Sequence, residues 1–277
     1  MANILSKQKQ VAVLSALVEG CSVRSTERML DVSRETVLSL LVRVGEGCNQ
    51  LHDSMMRDLS CERIECDELW GFIQKKQRRV TMADDAGQVG DAWTFVGIDA
   101  YTKLIPAYRV GKRDAANTNA FVADLASRMR NRVQIDTDGL GFYVSAIERA
   151  FGVDVDYARV VKSYVADPIG PGRYSPPKVS AVVKDAMIGT PDMSAASTSY
   201  VERQNLTMRM GIRRMTRLTN GFSKKLRNHR AATALHFAHY NLVRRHQTTR
   251  VTPAMAAGVT NEMWGMDRLL DAALGAA

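Results

Sequence analysis

Between residues 7 and 47 apolar positions recur every three or four residues, the period of helices with one buried face. Val11, Leu14, Leu17 and Val18 make the first stripe, which predicts a helix over Gln8–Glu19 stopped by Gly20. Ser22 is placed to cap a second helix carrying Val23, Met29 and Leu30. Ser33 is placed to cap a third, Arg34–Val44, after a short turn at Asp31-Val32. Helix, tight turn, and a second helix opening on a small polar cap is the helix-turn-helix pattern, whose last helix enters the major groove of DNA with its first residues nearest the base edges. Ser33, Arg34, Thr36 and Arg43 are then the exposed candidates for contact with bases or phosphates. Gly45-Glu46-Gly47 is expected to loosen the chain, so that 1–47 forms the helix-turn-helix domain and 48–62 a polar linker.

Beyond the linker the residue types change to strand formers. Ile64–Ile73, Trp93–Ile98 and Leu104–Val110 read as three strands, the last two joined by a turn at Asp99–Lys103, with Pro106 putting the third at an edge or bulge. Thr81–Asp91 suits a hairpin loop. Asp114 caps a helix to Met129, Arg132–Thr137 returns to a strand, and Tyr143–Phe151 is helical again. The fold class expected is therefore α/β (α+β): an all-α helix-turn-helix, then a mixed sheet flanked by helices over 63–246. Residues 166–197 concentrate Pro168, Pro171, Pro176, Pro177, Pro191 and three glycines, and are expected to form an irregular insertion. Ala231, Leu235, Ala238 and Leu242 stripe a further helix, Arg230–Arg245; His236 and His239 on it are expected to be core or surface histidines. Thr252-Pro253 opens the last short helices, in a tail over 247–277.

Charge sharpens this picture. Of 277 residues, 38 are Lys or Arg and 29 Asp or Glu, a formal net charge of +9 that points to a polyanionic partner. The excess gathers after residue 200, where the lone acid Glu202 heads a run with Arg203, Arg209, Arg213, Arg214, Arg217, Lys224 and Lys225. A helix over Tyr200–Arg214 would put Glu202, Leu206, Arg209 and Arg213 on one face. A carboxylate beside guanidinium groups is what phosphodiester chemistry needs: an anchor for a divalent metal and cations for the nucleic-acid backbone. Acids also stand at strand ends. Asp67 and Glu68 are adjacent, so their side chains leave opposite faces and only one is expected at a common site. Asp136 and Asp138 share a face, and pattern alone does not choose between them. Cys21, Cys48, Cys61 and Cys66 lie 27, 13 and 5 positions apart, without zinc-site spacing, and read as reduced, buried thiols. No apolar run of membrane-spanning length and no signal peptide stands out, so a cytoplasmic protein is expected.

Several motifs occur in order: CDELWGF (Cys66–Phe72), VGIDAYTK (Val96–Lys103), DTDG (Asp136–Gly139), SYVERQNLTMR (Ser199–Arg209), RLTNGFSKK (Arg217–Lys225), then HYNLVRRH and VTPAMAAG. Over roughly residues 60–260 the chain resembles DDE transposases, and is similar to those of bacterial insertion sequences in the IS-one group. The resemblance implies an RNase H-like core in which Asp67, Asp138 and Glu202 are catalytic and hold two divalent ions, Mg²⁺ or Mn²⁺. Glu68 and Asp136 become supporting residues and Asp99 a turn residue. It further implies two element ends and a target in double-stranded DNA, an assembly of at least two copies, and DNA transposition by strand cleavage and transfer. No nucleotide cofactor is needed, in keeping with the absence of a GxxxxGK[ST] loop. Some members of the group carry a cysteine-rich zinc element, which the cysteine spacing here does not support. A helix-turn-helix regulator, or an RNase H-like nuclease that cuts without joining, are the competing readings.

Overall fold

The computed structural model of the chain describes residues 5–165 and 178–275. Three helices open it, α1 (Lys7–Val18), α2 (Val23–Leu30) and α3 (Arg34–Met55), and each begins at a serine. Ser6, Ser22 and Ser33 accept hydrogen bonds from the backbone N–H groups of Lys9, Ser25 and Thr36, satisfying donors that a helix start otherwise leaves open. Contrary to expectation, α3 does not stop at Gly45-Glu46-Gly47 but runs on through most of the stretch read as a linker. The glycines serve close packing. A Cβ on Gly45 would lie 2.4 Å from the Ala231 carbonyl oxygen, and one on Gly47 1.8 Å from that of Ala273. Two other helices therefore lie directly against the backbone of α3, and the boundary drawn at residue 47 falls inside a helix.

Six strands follow in the spatial order β3 (Tyr108–Gly111), β2 (Gly90–Asp99), β1 (Arg63–Ile73), β4 (Val133–Thr137), β5 (Val155–Val165), β6 (Lys178–Ile188). β1 pairs antiparallel with β2 and parallel with β4, β4 parallel with β5, and β5 antiparallel with β6. This mixed sheet, flanked by helices, is the α/β architecture read from the sequence and is compatible with an RNase H-like core. The third strand is shorter than expected. Pro106 has no N–H to give, and the flanking Ile105 pairs its N–H and carbonyl with the side chain of Asn241 at 3.0 and 2.9 Å. The expected irregular insertion 166–197 also needs correction. Residues 178–188 contain neither Pro nor Gly and form β6 as the partner of β5, a strand the sequence reading did not identify. Residues 166–177, with four of the prolines and Arg173, lie outside the described residues.

The alternation of β1 sets the layers. Ile64 and Cys66 face α4 (Ala115–Ala126) and α5 (Phe142–Phe151) through Phe121, Tyr143 and Ile147. Leu69, with Val96 and Ile98 of β2, faces α6 (Ser199–Gly211) and α7 (Leu226–Leu242) through Val201, Met208, Phe237 and Tyr240. α7 is buried nearly all round, because Ala231, Ala234, Leu235, Ala238 and Leu242 on its other side pack with α3. Thr252 caps the short α8 (Pro253–Ala256), and α9 (Met266–Gly275) returns to pack Leu269, Leu270 and Ala273 into the same core as Val13 and Val44. All four cysteines are unpaired; Cys48, Cys61 and Cys66 are buried and Cys21 partly so. Among the described residues no helix is long and apolar enough to cross a membrane.

Candidate active site

Asp67 lies on the α6 side of β1. Its Oδ1 accepts from the backbone N–H of Glu68 at 2.7 Å and its Oδ2 from Nδ2 of Asn205 on α6 at 2.7 Å. Asp138 stands just past the end of β4, where its Oδ1 accepts from the N–H of Leu140 at 2.9 Å. Glu68 points to the opposite face of β1, and its Oε2 accepts from Arg113 Nε at 3.1 Å. One oxygen from each of Asp67, Glu68 and Asp138 nevertheless lies within 4.8 Å of the others. The expectation that adjacent residues cannot share a site fails here for a topological reason. The β1–β4 ladder ends at Cys66↔Thr137, so beside Asp67 and Glu68 the edge of β1 is open and side chains from both faces bend round it. Burial, reinforced by the charges of Asp138 and Glu68, pushes the Asp67 carboxyl up to about 7. Glu68 is raised by burial first and then by Asp138. Crowded hard oxygens that resist carrying charge together are the donor set a divalent cation such as Mg²⁺ or Mn²⁺ takes, so the residues fit such an ion.

Glu202 sits in the first turn of α6. Its Oε1 accepts from Thr198 Oγ1 at 2.8 Å and from Lys162 Nζ of β5 at 2.5 Å. It is outside the tight carboxylate group, yet near enough for its charge to act on Asp67. α6 has no side-chain cap of its own. Instead Glu65 of β1 accepts from the N–H groups of Tyr200 and Val201 at 2.7 and 3.1 Å, a carboxylate set against the positive end of the helix. Asp136 belongs with Glu65 and not with Asp138. It accepts from the Ser197 N–H at 3.0 Å, Gln134 Nε2 at 2.9 Å and Arg63 Nη1 at 3.2 Å, while the same Arg63 nitrogen lies 3.5 Å from Glu65. This group, built round the fully buried carboxylates of Glu65 and Asp136, ties the lead-in of α6 to β1 and β4. Sequence reasoning missed Glu65, Asn205 and Arg113 as parts of the site, and with them Tyr143, whose hydroxyl faces Glu68. Two were within reach: Glu65 is two before Asp67 on a strand and Asn205 three after Glu202 on a helix, so each shares a face with its neighbour.

The basic run divides. α6 ends at Gly211 and Ile212 is extended, so Arg213 leaves the face it was expected to share with Glu202 and lies in a 3₁₀ turn, Arg213–Met215. A side chain at Gly211 would press on the His236 ring, 3.0 Å away, and on the Val18 carbonyl, 3.3 Å away, so the chain turns where it meets the core. Arg209 turns inward, donating to the carbonyls of Met215 at 3.1 Å and Trp70 at 3.5 Å, and Arg214 donates to Ser223 Oγ at 3.4 Å. Burial lowers both guanidiniums to about 10, and both remain charged at neutral pH. Arg203, Arg213, Arg217, Lys224 and Lys225 are exposed. Arg213, Lys224 and Lys225 line one wall of an open cleft of about 1480 Å³ whose other wall carries Arg24, Arg34 and Arg43. Of the helix-turn-helix candidates, Arg34 pairs with Glu27 at 3.1 Å, Arg43 reaches Gln10 at 3.4 Å, and Ser33 and Thr36 bond each other at the start of α3, all on exposed surface. His236 is buried in α7 and His239 half-buried, neither among the residues grouped for a metal.

No protein-family model matches the chain, and no curated protein does. Among solved structures it is similar to the Mos1 transposase paired-end complex with left transposon end, at 13% identity over 57% of this chain and 60% of that one, TM-score 0.25. It is also similar to the piggyBac transposase synaptic complex with hairpin DNA, at 10% identity over 98% of this chain and 70% of that one, TM-score 0.46. The chain thus spans about 60% of the length of the Mos1 chain it matches.

Proposed function

We propose that the chain is a DNA strand-transfer enzyme, an insertion-sequence transposase of the DDE type. The observation that carries this reading is that Asp67 and Asp138, from β1 and the end of β4, meet beside the helix that Glu65 docks against β1 and that presents Glu202. In the proposal Asp67, Asp138 and Glu202 hold two divalent ions, which when bound supply Lewis-acid stabilisation of the attacking and leaving oxygens of a phosphodiester. Asn205 and the Glu68 N–H fix the direction of Asp67, and the Lys162 ammonium is the positive partner of Glu202 in the protein alone. Water first cleaves a phosphodiester at an element end and frees a 3′-hydroxyl. That hydroxyl then attacks a target phosphodiester, one P–O bond forming as another breaks. Ser33, Arg34, Thr36 and Arg43 on α3 read the element ends, while Arg203, Arg213, Arg217, Lys224 and Lys225 hold the backbone; Arg209 and Arg214, turned inward, act through the fold. The enzyme works in the cytoplasm, on DNA, as at least a dimer, because two ends must be held together.

The test is an incubation of supercoiled plasmid carrying the flanking genomic ends with wild type and Glu202→Gln, in Mg²⁺, Mn²⁺ or EDTA. Metal-dependent joined products that vanish in the variant are expected. Cleavage without joining would make the protein a nuclease, and binding with no cleavage under any metal would make it a regulator.

A further inference from the structure

Three aromatic rings stand in a row beside the candidate site without joining the core. Trp70 and Phe72 follow Glu68 on the same face of β1, their ring centroids 5.7 Å apart, and Phe222 continues the row 4.9 Å beyond Phe72. All three are half-buried, and among the described residues they join none of the buried clusters. The row lies along a gap in the sheet. β4 leaves β1 at Cys66, and the next segment to bridge that strand is Ser223, at Ile73, so among the described residues 67–72 have no partner strand on that side. At one end the row meets the carboxylates: Trp70 and Phe72 stand about 7 and 13 Å along the strand from Glu68. Trp93, opposite Trp70 on β2, carries the Arg113 guanidinium 4.8 Å over its ring, and Arg113 reaches Asp138 at 3.8 Å. At the other end Phe222 lines the cleft walled by Arg213, Lys224 and Lys225.

Cross-strand packing accounts for Trp70 opposite Trp93, but not for Phe222, which lies outside the strands and carries the row into the cleft. Rings set between cations suit one form of nucleic acid. A duplex keeps its base faces inside its own stack and offers phosphates and groove edges, which call for cations but no aromatic platform. An unpaired strand exposes both base faces and phosphates, and aromatic side chains take the first while cations take the second. The ammonium of exposed Lys76 stands 5.9 Å from the Trp70 centroid, and its flexible stem lets it exchange the ring for a phosphate when a base arrives.

We propose that this row is a seat for unpaired bases of one DNA strand, which leaves the cleft at Phe222, stacks bases on Phe72 and Trp70, and so brings one of its phosphodiesters to Asp67 and Asp138. This rests on the strand-transfer reading above and narrows its substrate to a DNA end that is unpaired at the site.

Anisotropy of a short labelled single strand, and of the blunt duplex of the same sequence, tests it in EDTA, where binding is read without cleavage. Wild type, Trp70→Leu, Phe72→Leu and Phe72→Tyr are compared, with melting temperatures reporting that each folds. Single-strand affinity is expected to fall about 5–100-fold in the two Leu variants, the worth of stacking one base on one ring, and to be kept in Phe72→Tyr, with duplex affinity unchanged. Folded Leu variants that bind the single strand as wild type does overturn the proposal, as does an equal loss toward the duplex; the strand-transfer reading then stands without it. Wild type that binds neither DNA sinks the strand-transfer reading itself. Should the Leu variants not fold, Trp70→Phe decides. The single strand should quench the tryptophan fluorescence of wild type and that of the variant clearly less, and equal quenching overturns the proposal.

Discussion

Glu65 and Asp67 stand two apart on β1 and face the same helix, with opposite duties. Asp67 keeps its carboxylate at the open edge of the strand. Glu65 is fully buried and spends one oxygen on the first turn of α6, so it fixes where Glu202 begins. Replacing Glu65 by Leu removes that acceptor and strands two N–H groups, with an expected loss of about 1–3 kcal/mol. Glu65→Gln keeps an acceptor and should lose less. The signature is local: amide exchange at Tyr200 and Val201 should quicken in Glu65→Leu before global unfolding. Protection unchanged at those two positions would mean that α6 is held by Val201 and Met208 packing alone.

At the scale of elements, the helices before the sheet and the helices after it are joined where α3 crosses α7 and α9. The contact works because Gly45 and Gly47 have no side chain. Gly47→Ala must push α9 away, costing about 1–3 kcal/mol of overpacking against about 1 kcal/mol gained in helix propensity. A lower melting temperature is therefore expected, whereas Gly141→Ala, with nothing within 4 Å of the added carbon, should leave stability nearly unchanged. Here the limits of reading one sequence are physical. Elements with a clean period and a polar cap, such as α1, α2 and α4, were legible, as were β1, β2 and β4. The length of α3 was not, because a glycine needed for helix crossing and a glycine that ends a helix are the same letter. β5 and β6 were hidden by the prolines between and beyond them. Of the three acids the motifs propose, Asp67 and Asp138 stand together while Glu202 lies outside their cluster. That Glu68 would join Asp67 depended on where β4 stops pairing, which no local pattern encodes.

For the molecule as a whole, burial charges a toll in acid. His52, His229 and His236 are held down by burial to about 3, 4 and 3, with Arg128 adding to the first and Arg214 to the second, against an ordinary value near 6.5. Folded, they stay neutral; unfolded, they take protons below pH 6.5, so their share of stability is present above that pH and lost as pH falls toward 4. Glu65 and Asp67, both raised to about 7, act in the opposite sense, destabilising at neutral pH and relieved by acid. Both ring nitrogens of His236 lack a partner. His236→Leu should therefore flatten the fall in stability between pH 6.5 and 4.5 by up to about 2–3 kcal/mol, read from melting temperatures at each pH, and an unchanged slope would show that the ring is protonated inside the fold. The joining of α1 and α3 to α9 also matters during synthesis. Val13 and Val44 share a core with Leu269 and Ala273, more than two hundred positions downstream. The helices that the proposal sets on DNA thus leave the ribosome well before the α9 residues that complete their core. A nascent or prematurely ended chain carries them with their apolar stripe uncovered, so they are material for chaperones and proteases before they are a DNA-reading unit.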